Sequence, residues 1–220
     1  LATLARCHRD TVMAGRTHGQ QGLPITFGFK VAVWLAEVRR HRERLAEIAP
    51  RMDTAQLCGG VGSVSSLGPR GLDVQRRFAE RLGLRAPVIS WTSSRDVLAE
   101  WCALLTLITG TADRIGHEVV NLQRSEIGEV REGFVAGTVG SITMPHKRNP
   151  EIGEHLGTLA RLTRHLSAAV QEGLVHDHER DGRAWKTEWH AIPEATMLAG
   201  RAVELLGELV SRLEVDADRM

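Results

Sequence analysis

Phe27-Gly28-Phe29-Lys30-Val31-Ala32-Val33-Trp34-Leu35-Ala36-Glu37-Val38 opens a run in which Phe27, Val31, Trp34, Leu35, Val38, Leu45 and Ile48 recur at helical spacing. The frame holds from the turn at Leu23-Pro24 to Pro50 or slightly beyond, and predicts one long helix. A second frame follows Ser93-Ser94, whose hydroxyls suit an N-cap with Asp96 in the first turn. It carries Val97, Trp101, Leu104, Leu105, Ile108, Ile115, Val119 and Leu122. A third begins at Pro150 with Ile152, Leu156, Leu159, Leu162, Leu166, Val170 and Leu174. A fourth follows Pro193 with Leu198, Val203, Leu205, Leu206, Leu209 and Val210, and a shorter helix is read from about Gly71 to Leu82. Helices of about 25 residues extend nearly 40 Å, at about 1.5 Å per residue, and must bury their stripes against one another. The expectation is an all-α fold, an elongated up-down bundle of long helices. Stripes on more than one side predict that neighbouring subunits cover the remainder in an oligomer.

Composition points the same way. The 220 residues are 42% apolar but only 4% aromatic, poor in strand-forming Tyr and Phe. With 28 basic against 27 acidic residues there is no global field for nucleic acid and no acidic tail. The run Arg39-Arg40-His41-Arg42-Glu43-Arg44 lies mid-helix ahead of Glu47 and reads as a solvated face, so no nucleic-acid partner is expected. No stretch is long and apolar enough to span a bilayer and no signal peptide opens the chain. Cys7, Cys58 and Cys102 are widely spaced and odd in number, which reads as reduced, buried thiols of a cytoplasmic protein. His176 and His178 lack a third ligand, so no metal is expected.

Between the helices lie two glycine-rich loops, Cys58-Gly59-Gly60-Val61-Gly62-Ser63 and the segment from Gly133 to Ser141. The second leads into Gly140-Ser141-Ile142-Thr143-Met144-Pro145-His146-Lys147-Arg148-Asn149-Pro150. Asn149-Pro150 reads as an N-cap and first helical residue, setting the positive end of a helix beside Lys147, a layout suited to an anion. Gly15-Arg16-Thr17-His18-Gly19-Gln20 adds a threonine and a histidine at a turn. Taken alone, Ser141 is a loop hydroxyl, Thr17 a capping residue and His18 a solvent-facing histidine.

Together these segments resemble the fumarase/aspartase superfamily, in which a loop of the form G-S-S-x-M-P-x-K-x-N and a T-H pair build a site for dicarboxylates. The resemblance covers essentially the whole chain and implies that residues 1–213 are the central helical domain. It further implies that 214–220 start the connector to a C-terminal domain and that an N-terminal domain is absent. A homotetramer with active sites shared between subunits, no cofactor and a small di- or tricarboxylate substrate are implied by the same resemblance. The fragment is then either a partial site or a structural oligomerisation core without activity of its own.

The chemistry implied is anti addition or elimination on a polycarboxylate. A base removes a proton beside a carboxylate, and the aci-carboxylate so formed needs donors, each worth about 3–4 kcal/mol when well placed. By resemblance Ser141 is the base, activated by cationic surroundings and loop amides. Lys147 and Asn149 stabilise charge, and His18 moves protons on the other side. Thr17, Gln20, Arg95, Met144 and Arg180 contact substrate, although Arg180 is read equally as pinning its loop. Ile142 stands where the family loop usually has a second serine, removing one hydroxyl contact.

Substrate choice rests on His178-Glu179-Arg180-Asp181 and on the residues from Gly182 to Glu194. Adenylosuccinate lyases have a serine pair and then E-R after a similar H-E-R-D, whereas Trp189 stands here where that arginine would be. Tryptophan cannot pair with phosphate as a guanidinium does. The W-x-x-E-W run at 185–189, followed by Ile192-Pro193-Glu194, resembles 3-carboxy-cis,cis-muconate cycloisomerases instead. The histidine of the T-H pair, often lacking in those cycloisomerases, is present here as in the lyases proper. A cycloisomerase-like activity is therefore the first expectation, with adenylosuccinate lyase or another fumarate-releasing lyase as alternative. Arg183 and Lys186 are read either as replacement carboxylate or phosphate contacts or as solvated loop charges.

Overall fold

The computed structural model describes residues 1–133, 141, 143–144 and 147–220, so that Gly137, Gly140 and Ile142 of the glycine-rich loop lie outside the described residues. The chain divides into two compact units. Leu1–His41, Leu107–Arg161 and Leu198–Met220 form the first, Arg42–Thr106 and Leu162–Met197 the second.

The predominance of helix agrees with the sequence pattern. Helices α1 (Ala2–Cys7), α2 (Phe27–Met52), α3 (Gly71–Leu82), α4 (Asp96–Leu122), α5 (Glu151–Gln171) and α6 (Gly182–Arg212) account for most described residues. In the first unit Phe27, Val31 and Trp34 of α2 pack with Ala112, Ile115, Val119 and Leu122 of α4, Leu156 of α5, and Ala202, Leu205 and Leu209 of α6. Phe27 meets Trp34 edge to face at 6.2 Å, the preferred aromatic geometry. Close approach of α4 and α5 depends on two glycines. A Cβ at Gly116 would lie 2.9 Å from Leu156 Cδ1, and one at Gly153 would lie 2.6 Å from Val120 Cγ2. In the second unit Cys102, Val170 and Ala191 form a smaller core with Trp101, Leu166 and Ile192 against it.

Two findings depart from the pattern. Strands β1 (Val12–Thr17) and β2 (Gln20–Thr26) form an antiparallel hairpin ahead of α2, with a bulge between Ala14 and Arg16. Short strands β3 (Val130–Arg131) and β4 (Glu214–Val215) pair after α4 and α6. Helix α6 starts at Gly182, well before Pro193, which sits inside it. Asp181 provides the start: its carboxylate accepts the Arg183 N–H at 2.8 Å, as an N-cap does for the second helical residue.

Helix α3 ends as read, at Gly83 with φ +68, a left-handed position that favours glycine. The loop at 58–63 closes on itself through the Gly59 N–H to Ser63 carbonyl bond of 2.7 Å. Of the cysteines, only Cys102 is buried, while Cys7 is exposed and Cys58 intermediate, which corrects the expectation of three buried thiols; all three are unpaired. Phe29, Val33, Leu107, Leu162 and Val203 are exposed apolar residues on the helices. No helix among the described residues is long and apolar enough to cross a membrane.

Candidate active site

Thr17, His18, Gly19 and Gln20 form the tip of the β1–β2 hairpin, where Thr17 pairs with Gln20 across a two-residue turn. His18 has φ +53 and Gly19 φ +73, the left-handed pair demanded by the tight hairpin turn. Histidine there carries a cost of order 1–3 kcal/mol that glycine would avoid. Thr17, His18 and Gln20 are all exposed. One residue earlier, Arg16 anchors the hairpin: its guanidinium forks onto Glu129, Nη1 donating to Oε2 at 2.8 Å and Nη2 to Oε1 at 2.6 Å. The Glu129 side chain is only 3% exposed, and its hydrogen bonds raise the Arg16 pKa further above the ordinary value. A buried, bidentate pair of this kind fixes geometry more than it adds stability.

The segment from Ser141 to Asn149 lies between β3 and α5. Ser141 Oγ accepts the Met144 N–H at 3.3 Å, and the Lys147 N–H reaches the Met144 carbonyl at 2.9 Å. These bonds link Ser141 to Met144 and Met144 to Lys147. Met144 and Lys147 are exposed, Ser141 and Asn149 half-buried.

The start of α5 differs from the sequence expectation. The first intrahelical bond runs from Glu154 N–H to the Pro150 carbonyl, so Pro150 rather than Asn149 occupies the cap position. The capping group comes from elsewhere in the chain: Glu132 accepts the N–H groups of Ile152 at 2.9 Å and Gly153 at 2.7 Å, one on each carboxylate oxygen. Burial raises the Glu132 pKa, against the lowering effect of these two amides. Gln123, just past α4, holds both limbs of the loop. Its Oε1 accepts the Glu132 N–H at 2.8 Å and its Nε2 donates to the Arg148 carbonyl at 3.0 Å. Arg148 sits between Lys147 and Asn149, so Gln123 positions the backbone that carries both. Among the described residues the Asn149 side chain makes no hydrogen bond.

Glu129, Glu132 and Gln123 were not singled out from sequence. The available signal was two glutamates three apart, flanked by Gly128 and Val130 directly before a glycine-rich loop, a setting in which an acid is buried only with a partner.

Arg95 and Arg180 belong to the second unit. Arg95, expected as a substrate contact, is buried. Nε donates to Glu188 Oε1 at 2.7 Å, Nη2 to Glu188 Oε2, and Nη1 to the Thr92 carbonyl at 3.1 Å. Every nitrogen of its guanidinium is thus engaged inside the protein, and its carbonyl caps α4 by accepting the Ala99 N–H at 3.0 Å. This places Arg95, rather than a serine, at the helix cap. Arg180 lies exposed with its guanidinium carbon 4.4 Å from the centre of the Trp185 ring, a cation–π contact that pins its loop. Arg183 pairs with Asp177 at 2.6 Å and Asp181 at 2.8 Å. The Arg183 hydrogen bond holds the Asp181 carboxyl well below its usual range. The 176–183 loop is closed further by His176 Nε2, which accepts the Asp181 N–H at 2.8 Å. Among the described residues no group of histidine, cysteine and carboxylate side chains is arranged to hold a metal.

Comparison with known proteins adds an independent line. Residues 1–162 match the model of a family described as lyase. The chain is 44% identical over 215 residues to an N-acetyl-S-(2-succino)cysteine lyase of Enterococcus italicus, covering 98% of this chain and 47% of that protein. It is 40% identical over 220 residues to a 3-carboxy-cis,cis-muconate cycloisomerase of Pseudomonas aeruginosa, covering 100% of this chain and 48% of that protein. The solved 3-carboxy-cis,cis-muconate lactonizing enzyme of Pseudomonas putida superposes with a TM-score of 0.93 at 34% identity, over 99% of this chain and 48% of that one. The chain therefore spans about half the length of the relatives it matches.

Proposed function

The chain belongs to the lyase family whose model it matches, and on that premise we propose that it supplies the loop and hairpin of a site for anti elimination across a succinyl-type unit, or the reverse addition. Ser141 takes the proton from the carbon beside a carboxylate, the bond from the neighbouring carbon to its heteroatom breaks, a double bond forms between the two carbons, and the leaving group takes up a proton. Lys147 and Asn149 stabilise the negative charge that gathers on the carboxylate, with Met144 lining the same turn. His18, with Thr17 and Gln20 beside it on the hairpin, handles the leaving group's proton. The observation that carries this reading is the construction around Gln123, which ties Glu132 to the Arg148 carbonyl between Lys147 and Asn149.

The substrate we favour is a thioether-linked succinate, cleaved at carbon–sulfur to an unsaturated dicarboxylate and a thiol. The similarity at 44% identity to a succinocysteine lyase supports this, as does His18. The second reading, closure of a carboxymuconate to a lactone, is favoured by the run Trp185-Lys186-Thr187-Glu188-Trp189 and by the fold likeness to the lactonizing enzyme. A homotetramer with sites completed by neighbouring subunits is proposed from the exposed apolar residues on the helices; a cytoplasmic location is proposed with it.

The test is a substrate panel of S-(2-succino)cysteine and its N-acetyl form, 3-carboxymuconate, adenylosuccinate, argininosuccinate and fumarate, followed by ultraviolet absorbance with the full-length protein. Fumarate release with a free thiol as co-product supports the favoured reading. Turnover of carboxymuconate alone selects the second, and no turnover of any member sinks both.

A further inference from the structure

The formal charge of the chain is only +1, yet one cavity of the first unit gathers cations. It has a volume of about 870 Å³, and Arg124, Arg131, Lys147, Arg148 and Arg219 line it with no carboxylate among the described residues of the wall. Two of these charges are shared at the rim: Arg148 reaches Glu214 at 3.3 Å, and Arg219 Nε lies 3.9 Å from Asp216. Arg124, Arg131 and Lys147 have no carboxylate partner among the described residues.

The backbone mounts these side chains on ordered turns. The Arg124 carbonyl accepts the N–H groups of Ile127 at 2.9 Å and Gly128 at 2.8 Å, closing the turn after α4. Arg131 stands in β3 opposite Glu214 of β4. Arg219 crosses over Gly128, where φ is +66 and a Cβ would come within 2.8 Å of the guanidinium Nη1. A glycine at this point admits the arginine to the wall of the cavity.

Like charges gathered in a concave wall repel one another and focus a positive field on the space between them. The volume falls within the ~300–1,000 Å³ range of small-molecule sites, and a single monovalent anion would leave most of the charge unbalanced. Several oxyanion groups on one compact molecule match both guanidinium forks and the ammonium together. We infer that this cavity binds a small polyvalent oxyanion, of the tricarboxylate or oligophosphate kind, through Arg124, Arg131 and Lys147. The cavity borders the proposed reaction site, sharing Lys147 with it and Gln123 with its support, so that an occupant competes with substrate for that ammonium group. Ser125, also in the wall, adds a hydroxyl donor.

Isothermal titration calorimetry of the protein with citrate and, separately, with tripolyphosphate at constant ionic strength tests the site and tells the two ligand sources apart. At least one should bind saturably at one per chain. The Arg124→Ala/Arg131→Ala variant should weaken that binding at least tenfold. Arg124→Lys/Arg131→Lys should weaken it less, because charge is kept while the forks are lost. Both positions are exposed, so circular dichroism and thermal midpoint should stay at wild-type values. Failure of both anions to saturate, or unchanged affinity in the double alanine variant, overturns the site. Substrate turnover is read separately: turnover without anion binding removes this site and keeps the lyase reading, and anion binding without turnover does the reverse.

Discussion

Glu132 and Gly153 are joined by a 2.7 Å bond from the Gly153 N–H to the Glu132 carboxylate, so the residue before the glycine-rich loop caps the helix that comes after it. Glu132 and Gln123 together tie the residue before the loop to Arg148 and to the start of α5. Because burial raises the Glu132 pKa above its ordinary 4.5, the folded state binds the proton more tightly than the unfolded chain. Its contribution to stability is fully present below pH 4.5 and is lost as pH rises through the folded-state pKa. Denaturant unfolding across this range should show wild type losing stability relative to Glu132→Gln as pH increases. A constant difference between the two would contradict the assignment.

Arg95 and Glu188 test whether a residue read from sequence as a substrate contact is a structural one. Arg95→Ala leaves a buried carboxylate without its partner and should cost about 3–5 kcal/mol, whereas Arg95→Met combined with Glu188→Leu should restore much of that loss. Chemical denaturation measures both. A variant Arg95→Ala that keeps full stability but loses substrate affinity would return this residue to the substrate site.

The helical frames were legible because wide apolar stripes repeat along them, and α3 was read from Gly71 to Leu82 as found. The hairpin was not, since β1 holds only six residues, Gly15 and Arg16 interrupt its alternation, and a bulge resets its register. The start of α6 was hidden by Pro193, which marks a boundary in local reading but is tolerated where tertiary packing holds the helix. Ser141, Lys147 and His18 were singled out by motif resemblance alone. The supports of the hairpin and of the loop were not, because Arg16 with Glu129 and Gln123 with Arg148 are paired across distant parts of the chain and leave no periodic trace.

Gly116 measures the contact of α4 with α5. Its substitution by alanine places a methyl group 2.9 Å from Leu156 Cδ1 and 3.1 Å from Gly153 Cα, an overpacking that should cost about 1–3 kcal/mol. Gly110 has open space around it, so Gly110→Ala should be neutral or slightly stabilising, since alanine favours helix. Equal thermal midpoints for the two variants would argue against the close approach.

Cys102 is fully buried, and desolvation together with the nearby Glu188 charge pushes its thiol up to about 11. Thiolate is the reactive form, so iodoacetamide at pH 8 should label exposed Cys7 and leave Cys102 unmodified in the native protein. Mass spectrometry of the peptides decides this, and comparable labelling of both would show that the second core opens readily.

Turnover of the full-length protein carrying Ser141→Ala is the most direct measurement of the proposed chemistry. With the substrate the panel identifies, kcat should fall by at least a hundredfold while the thermal midpoint stays at the wild-type value. A kcat close to wild type would remove Ser141 as the base and with it the elimination mechanism proposed for this loop.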